Sequence, residues 1–137
     1  MNDYTKVTEC RVTLSVFSRT RELGYVSEGL GLSPTKEYFK GERVPPHVNG
    51  LASERISEFN MWLFKVDIDD LRSLEDHFSA LIELLNDERV AQLRAISSEC
   101  RVTIDVYIIN EAGIEISNDL MAVLSRCGAS MSIDVQN

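Results

Sequence analysis

Long hydrophobic runs are missing from this sequence. No apolar stretch approaches the length of about 20 residues that a helix needs to cross a bilayer, and the opening residues 1–6 show no apolar run behind a basic start. The three cysteines, Cys10, Cys100 and Cys127, are odd in number and form no Cys-x-x-Cys pair. We therefore expect reduced thiols, a cytoplasmic location, no secretory signal and no membrane partner.

Positive charge is also scarce. The chain carries 14 Lys and Arg against 22 Asp and Glu, a formal net charge of −8, and nucleic-acid binding needs clustered bases to neutralise phosphates. We therefore expect no nucleic-acid partner. With 137 residues, of which 44% are hydrophobic and 26% charged, the composition is that of one folded domain over residues 1–137.

Groups that could perform catalysis are few. Of the two histidines, His47 has no local Cys, His or carboxylate at ligand spacing, and His77, beside Phe78 on the central helix, is expected as a surface or boundary residue rather than a ligand. Residues 67–70 begin like a calcium loop, but Leu71 and the missing glycine exclude that motif. No glycine-rich phosphate loop occurs. We therefore predict no enzyme activity, no catalytic residues, no metal and no cofactor.

The clearest pattern that is present is a repeat. Residues 9–16 recur as residues 99–106, with five consecutive identities. Two interpretations stay open: a duplicated strand–helix unit, about 9–32 and 99–128, or similar strands that converged on similar residues.

Alternating and helical periodicities predict the fold class. Four segments, near residues 12–16, 60–68, 101–108 and 131–136, alternate apolar and polar residues, which is typical of strands buried on one face. Three helical segments separate them: 20–30, one that begins at Asp69-Asp70 and breaks at Asn86-Asp87, and one from Ser117 to Gly128. The order β-α-β-α-β-α-β predicts an α+β two-layer sandwich, a four-stranded sheet with helices on one face, related to the ferredoxin-like arrangement. Trp62 is expected in its core.

The prolines fall in one long connection, residues 33–58, where we also expect a short helix over 52–57. Here Leu-Gly-Leu-Ser-Pro-Thr (30–35), Lys-Gly-Glu (40–42) and the strand with Trp62 resemble a small bacterial family, domain of unknown function 4279. The likeness extends over nearly the full chain. It implies a bacterial cytoplasmic protein without an assigned activity, and it carries over no catalytic residue.

Two surfaces are candidates for binding. Residues 65–88 hold eight acids against two bases, which indicates either a solvated helix face or a surface that steers a basic protein partner, as in small immunity proteins. The candidate protein-binding residues are Asp69, Asp70, Glu75, Asp76 and Glu83.

The second surface is the polar face of the sheet, where Phe17, Met61, Leu63 and Tyr107 add apolar area. It is interpreted first as covered by the long loop or by a homodimer. The sharper alternative is a pocket for a small anionic ligand between the 34–50 loop and the sheet. Its candidate residues are Thr35, Lys40, Glu42 and Arg43. The leading hypothesis is a non-catalytic protein-interaction module, immunity-type or regulatory; the alternative is a small-ligand sensor.

Overall fold

The computed structural model describes residues 9–44, 55–109 and 113–136. The elements in these ranges follow in chain order: β1 (Glu9–Ser18), α1 (Gly24–Leu30), β2 (Lys36–Tyr38), β3 (Arg43–Val44), β4 (Arg55–Ile56), β5 (Asn60–Lys65), α2 (Leu74–Leu84), α3 (Asp87–Ser97), β6 (Arg101–Ile109), α4 (Asn118–Cys127) and β7 (Ser130–Gln136).

The fold is α+β, with a mixed five-stranded sheet in the order β2-β5-β1-β6-β7. The pairs from β2 to β6 are antiparallel, whereas β6 and β7 are parallel and joined through α4. The predicted four strands and element order are wrong in detail: β2 adds a fifth strand, and β3 and β4 form a separate ribbon. These added strands have only two or three residues, too few to show an alternating pattern. The ferredoxin-like relation stays a prediction.

The two copies of the sequence repeat lie side by side at the centre of the sheet. Strand β1 pairs with β6 antiparallel, and Leu14 stands opposite Ile104, its counterpart in the repeat. The repeat is therefore related by a local two-fold axis between these residues. Either origin of the repeat is compatible with this arrangement.

The helices cover one face of the sheet. Alternate residues of β1, such as Val12, Leu14 and Val16, are fully buried in a core shared with residues of all four described helices. Trp62 belongs to this core with no exposed surface, as predicted, and its indole N–H donates a hydrogen bond to Ser27 Oγ at 2.9 Å. The three cysteines are free and buried.

Local caps set the helix boundaries. The predicted helix start at Asp69 is wrong because the Asp69 carboxylate accepts a hydrogen bond from the Leu71 N–H and closes a turn. The helix begins instead after Ser73, whose hydroxyl accepts from the Asp76 N–H. The break predicted at Asn86 is confirmed, since Asn86 caps a second helix, α3.

Local hydrogen bonds and a left-handed glycine also set the boundaries of α1 and α4. Helix α1 starts at Gly24 rather than Thr20, because the Ser18 hydroxyl accepts hydrogen bonds from the backbone N–H groups of Thr20 and Arg21 and holds them in a turn. Helix α4 is capped by Ser117 and ends at Gly128 in the left-handed conformation, as predicted.

The long connection holds strands where a helix was expected. Of the predicted helix over 52–57, residues 55–56 form β4, and residues 52–54 lie outside the described ranges. His47, Pro45 and Pro46 also lie outside them. None of the described helices is both long and apolar enough to cross a bilayer.

Candidate functional site

Three of the predicted protein-binding acids have partners within the fold. Asp70 forms ion pairs with Lys65 at 3.0 Å and with Arg11 at 3.6 Å. Asp76 pairs with Arg72 at 2.9 Å, one turn earlier on the chain, and Asp69 closes the turn before α2. These acids therefore stabilise the start of α2. The bases that pair with Asp70 and Asp76 also partly neutralise the negative charge of this surface.

The remaining two predicted acids lie on different surfaces. Glu75 and Glu83 are exposed, and neither forms an ion pair with the residues that the structure describes. Glu75 lines a cleft between α2 and the segment before α4. Glu83 lines another depression, beside Asp67 and Arg89. The structure therefore divides the predicted acidic face into two parts.

The cleft at Glu75, which we call the acidic cleft, lies between α2 and residues 113–119. It is an open depression with a volume of about 980 Å³. Leu74 and Phe78 of α2, 8% and 5% exposed, form its apolar floor. Ile82 and Ile114 are half-buried along it, and Ile116 is 36% exposed. An apolar side chain of a partner can therefore contact this floor.

The rim of the acidic cleft carries charge of one sign. Glu75, Glu115 and Asp119 line it, and no Lys or Arg is among the described residues that do. Glu75 stands in the first turn of α2 and Asp119 in the first turn of α4, where the positive end of each helix dipole stabilises a carboxylate. The first turns of α2 and α4 therefore place acidic side chains around the apolar floor of the cleft.

Sequence reasoning found Glu75 but missed the other residues of the acidic cleft. The signal that could have indicated them is Ile114-x-Ile116, two apolar residues directly before the Ser117 cap, outside any strand or helix. Apolar residues at such a place need a surface to pack on, and here α2 supplies it.

The four predicted ligand-binding residues follow one another along the chain: Thr35 directly precedes β2, Lys40 and Glu42 lie between β2 and β3, and Arg43 begins β3. Thr35 Oγ1 accepts a hydrogen bond from the Lys65 N–H at 2.9 Å, and the Lys40 N–H donates to Asn60 Oδ1 at 2.8 Å. The Glu42 carbonyl accepts from the Ser57 N–H at 2.8 Å, and Arg43 pairs with β4. None of the four lines a described depression in the open sheet face. Their role stays a prediction, and residues 45–50 of the loop lie outside the described ranges.

Phe17 and Tyr107, on the sheet face that the helices leave open, are half-buried rather than fully exposed. The Phe17 ring meets the Phe59 ring edge to face at 6.2 Å between centroids. The Arg11 guanidinium lies over the Tyr107 ring at 4.7 Å from its centroid. The turn between β4 and β5 thus covers part of this face.

Burial favours the neutral forms of two titratable side chains, His77 and Cys127. His77 is fully buried on α2, so the surface or boundary position expected for it is wrong. Burial lowers its pKa, and neither ring nitrogen has a hydrogen-bond partner in the described part of the chain. Burial also raises the pKa of Cys127 to about 11, so its thiol stays protonated near neutral pH. Both side chains belong to the packed interior of the domain.

Comparison with known proteins agrees with the resemblance seen at residues 30–35 and 40–42. No curated protein and no solved structure matches the chain. A family model described as Domain of unknown function (DUF4279) matches residues 8–137. The predicted resemblance is thus confirmed, and the chain belongs to the family Domain of unknown function (DUF4279).

Proposed function

We propose that this domain is a non-catalytic protein-interaction module that binds a basic partner at the acidic cleft. One observation carries the proposal: an apolar floor, Leu74 and Phe78, is rimmed by Glu75, Glu115 and Asp119 without a described base. Carboxylates on a rim raise the association rate of a basic protein, and an apolar centre provides binding energy.

The shape of the acidic cleft supports a partner that inserts a side chain. A volume of about 980 Å³ holds one or two large apolar side chains together with their backbone. Residues of this kind, fully desolvated at the centre of an interface, usually dominate its energy. The partner is therefore a protein segment with an aromatic or aliphatic residue flanked by Lys or Arg.

The charge of the chain supports a foreign partner over a second copy at this cleft. With a formal net charge of −8, two copies that meet through their acidic clefts would repel each other. We further propose that the domain has an immunity-type or regulatory role in a bacterial cytoplasm and that it binds neither nucleic acid nor membranes.

A peptide display selection against the immobilised domain tests this function. We expect the enriched peptides to carry a large apolar residue flanked by Lys or Arg. Their binding is expected to weaken more than tenfold, about 1.4 kcal/mol, in the double variant Glu75→Lys, Glu115→Lys.

The matched control is the double variant Glu83→Lys, Glu88→Lys, which makes the same change in net charge outside the acidic cleft. Both controls are exposed, and Glu88 stands in the first turn of α3 as Glu75 does in α2. Equal losses in the two double variants, or enriched peptides without basic residues, would contradict the proposal.

A further inference from the structure

A groove crosses the sheet face that the helices leave open. Two adjoining depressions of about 430 Å³ and 300 Å³ form it, and Asp105 and Ser132 line both. Asp105 lies on β6 opposite Thr13 of β1, near the middle of the face. We call this feature the open-face groove; it is separate from the acidic cleft, which lies on the helical side.

Asp105 is the acidic side chain that lines both depressions of this groove. Its carboxylate is half-buried and accepts a hydrogen bond from Ser15 Oγ at 2.5 Å. Within residues 9–44, 55–109 and 113–136, no Lys or Arg forms an ion pair with it. Burial raises the pKa of Asp105, while the Ser15 hydrogen bond and the charge of Arg101 act in the opposite direction. A partly desolvated carboxylate of this kind gains from a cation that comes into contact with it.

The larger depression beside Asp105 is mainly apolar. Phe17 and Met61 line it from the sheet, and Ile56 and Phe59 line it from β4 and the turn that follows. Ile56 is 66% exposed, so its side chain is available for contact. An aromatic or branched aliphatic group can pack here against the rings of Phe17 and Phe59 and the thioether of Met61.

The bases near the groove do not make it a site for anions. The Arg11 guanidinium lies over the Tyr107 ring and near Asp70 and Glu9, each at 3.6 Å. Arg101 is exposed at the other end, and the Arg19 guanidinium, which is not part of the lining, lies over the Phe59 ring at 4.9 Å from its centroid. Carboxylates outnumber bases along the lining, which includes Glu58, Asp105 and Asp134 as acids and Arg11 and Arg101 as bases.

We propose that the open-face groove binds a small organic cation, an amine on an aromatic or branched aliphatic body. The ammonium group contacts the Asp105 carboxylate, and the body packs against Phe17, Met61 and Phe59. The groove volume suits a small molecule, and a carboxylate beside an apolar wall recognises both parts of such a ligand at once. This site does not depend on the proposed function.

The test uses three probes of similar shape and different charge on the full chain: 2-phenylethylamine, 2-phenylethanol and 3-phenylpropionate. Binding is followed by amide chemical shifts in two-dimensional NMR. We expect the amine to shift amides around the groove, such as those of Ser15, Thr103 and Asp105, at millimolar concentration. The alcohol is expected to bind about tenfold more weakly, and the carboxylate not measurably.

Asp105→Asn keeps the shape and an acceptor for Ser15 but removes the charge, so it is expected to weaken amine binding about tenfold. Asp87→Asn, an exposed residue in the first turn of α3 that lines neither the open-face groove nor the acidic cleft, is the matched control and is expected to leave amine binding unchanged. Unchanged amine binding in Asp105→Asn, tighter binding of the carboxylate than of the amine, or no shift by the amine would overturn the proposal. If Asp105→Asn does not fold, the three-probe comparison on the parent chain still decides it.

Discussion

His77 shows how one side chain can make the stability of the whole domain depend on pH. Its imidazole is fully buried, and burial keeps its pKa below the ordinary value of 6.5. Lys65 and Arg72 also oppose its protonation, while Asp70 and Asp76 favour it to a smaller extent than burial disfavours it. The unfolded chain therefore takes up a proton near pH 6.5, whereas the native chain does so only at lower pH.

Stability is accordingly expected to fall as pH drops from about 6.5 towards the lowered native pKa, because the unfolded state then binds more protons. In His77→Leu this part of the pH dependence is expected to disappear. The variant should be at least as stable as the parent near neutral pH, since two unpaired buried nitrogens are removed. Urea unfolding between pH 7 and 5.5 measures both effects, and an unchanged slope in the variant would contradict this account.

At the scale of elements, two glycines that end helices provide a matched pair. Gly31 and Gly128 both have positive φ, 66° and 71°. A Cβ on Gly31 would meet only a guanidinium nitrogen of Arg89 at 4.0 Å, whereas one on Gly128 would overlap the Ser97 hydroxyl and lie 3.0 Å from Ser97 Cβ. A substituted residue would be strained by the positive φ at both positions, whereas a steric overlap with Ser97 is expected at position 128 alone.

Gly31→Ala is expected to lower the free energy of unfolding by about 1 kcal/mol, the cost of a left-handed non-glycine residue. Gly128→Ala is expected to cost at least about 1 kcal/mol more, because Ser97 must move and its hydrogen bond to the Arg94 carbonyl at 2.7 Å is disturbed. Chemical denaturation of both variants measures the difference. Equal losses would show that the contact with Ser97 has no energetic weight.

The elements predicted correctly from the sequence are those whose signals are local. The Ser117 cap, the Gly128 stop and the Asn86 break each depend on side chains within one turn of the boundary. Strands β2, β3 and β4 were missed because their pairing with distant segments, and not their own pattern, makes them strands.

The same distinction applies to the candidate site. Glu75 could be predicted from the acidic composition around it, but Glu115 and Asp119 could not. The acidic cleft exists only because residues 113–119 pack beside α2, some 40 positions earlier in the chain. The pair Ile114-x-Ile116 indicates that this segment packs on some surface, but no local pattern indicates that the surface is α2.

At the scale of the whole molecule, the two proposed binding surfaces lie on opposite sides of the sheet. The acidic cleft is built from α2 and the start of α4, and the open-face groove is built on β1, β5 and β6. Strands β1 and β6 contribute to both sides, since their buried faces support the helices and their open faces form the floor of the groove. The two proposed sites therefore do not overlap, and the account predicts that a protein partner and a small molecule can be bound at the same time.

The measurement that tests the central claim most directly is a quantitative pull-down from an extract of the source cells. Three baits are compared by mass spectrometry: the parent chain, the cleft variant Glu75→Lys, Glu115→Lys, and the control Glu83→Lys, Glu88→Lys. The account predicts one basic protein, recovered in stoichiometric amount by the parent and the control, depleted by the cleft variant, and released by moderate salt. A partner retained by the cleft variant, or no enriched basic protein with the parent, would contradict it.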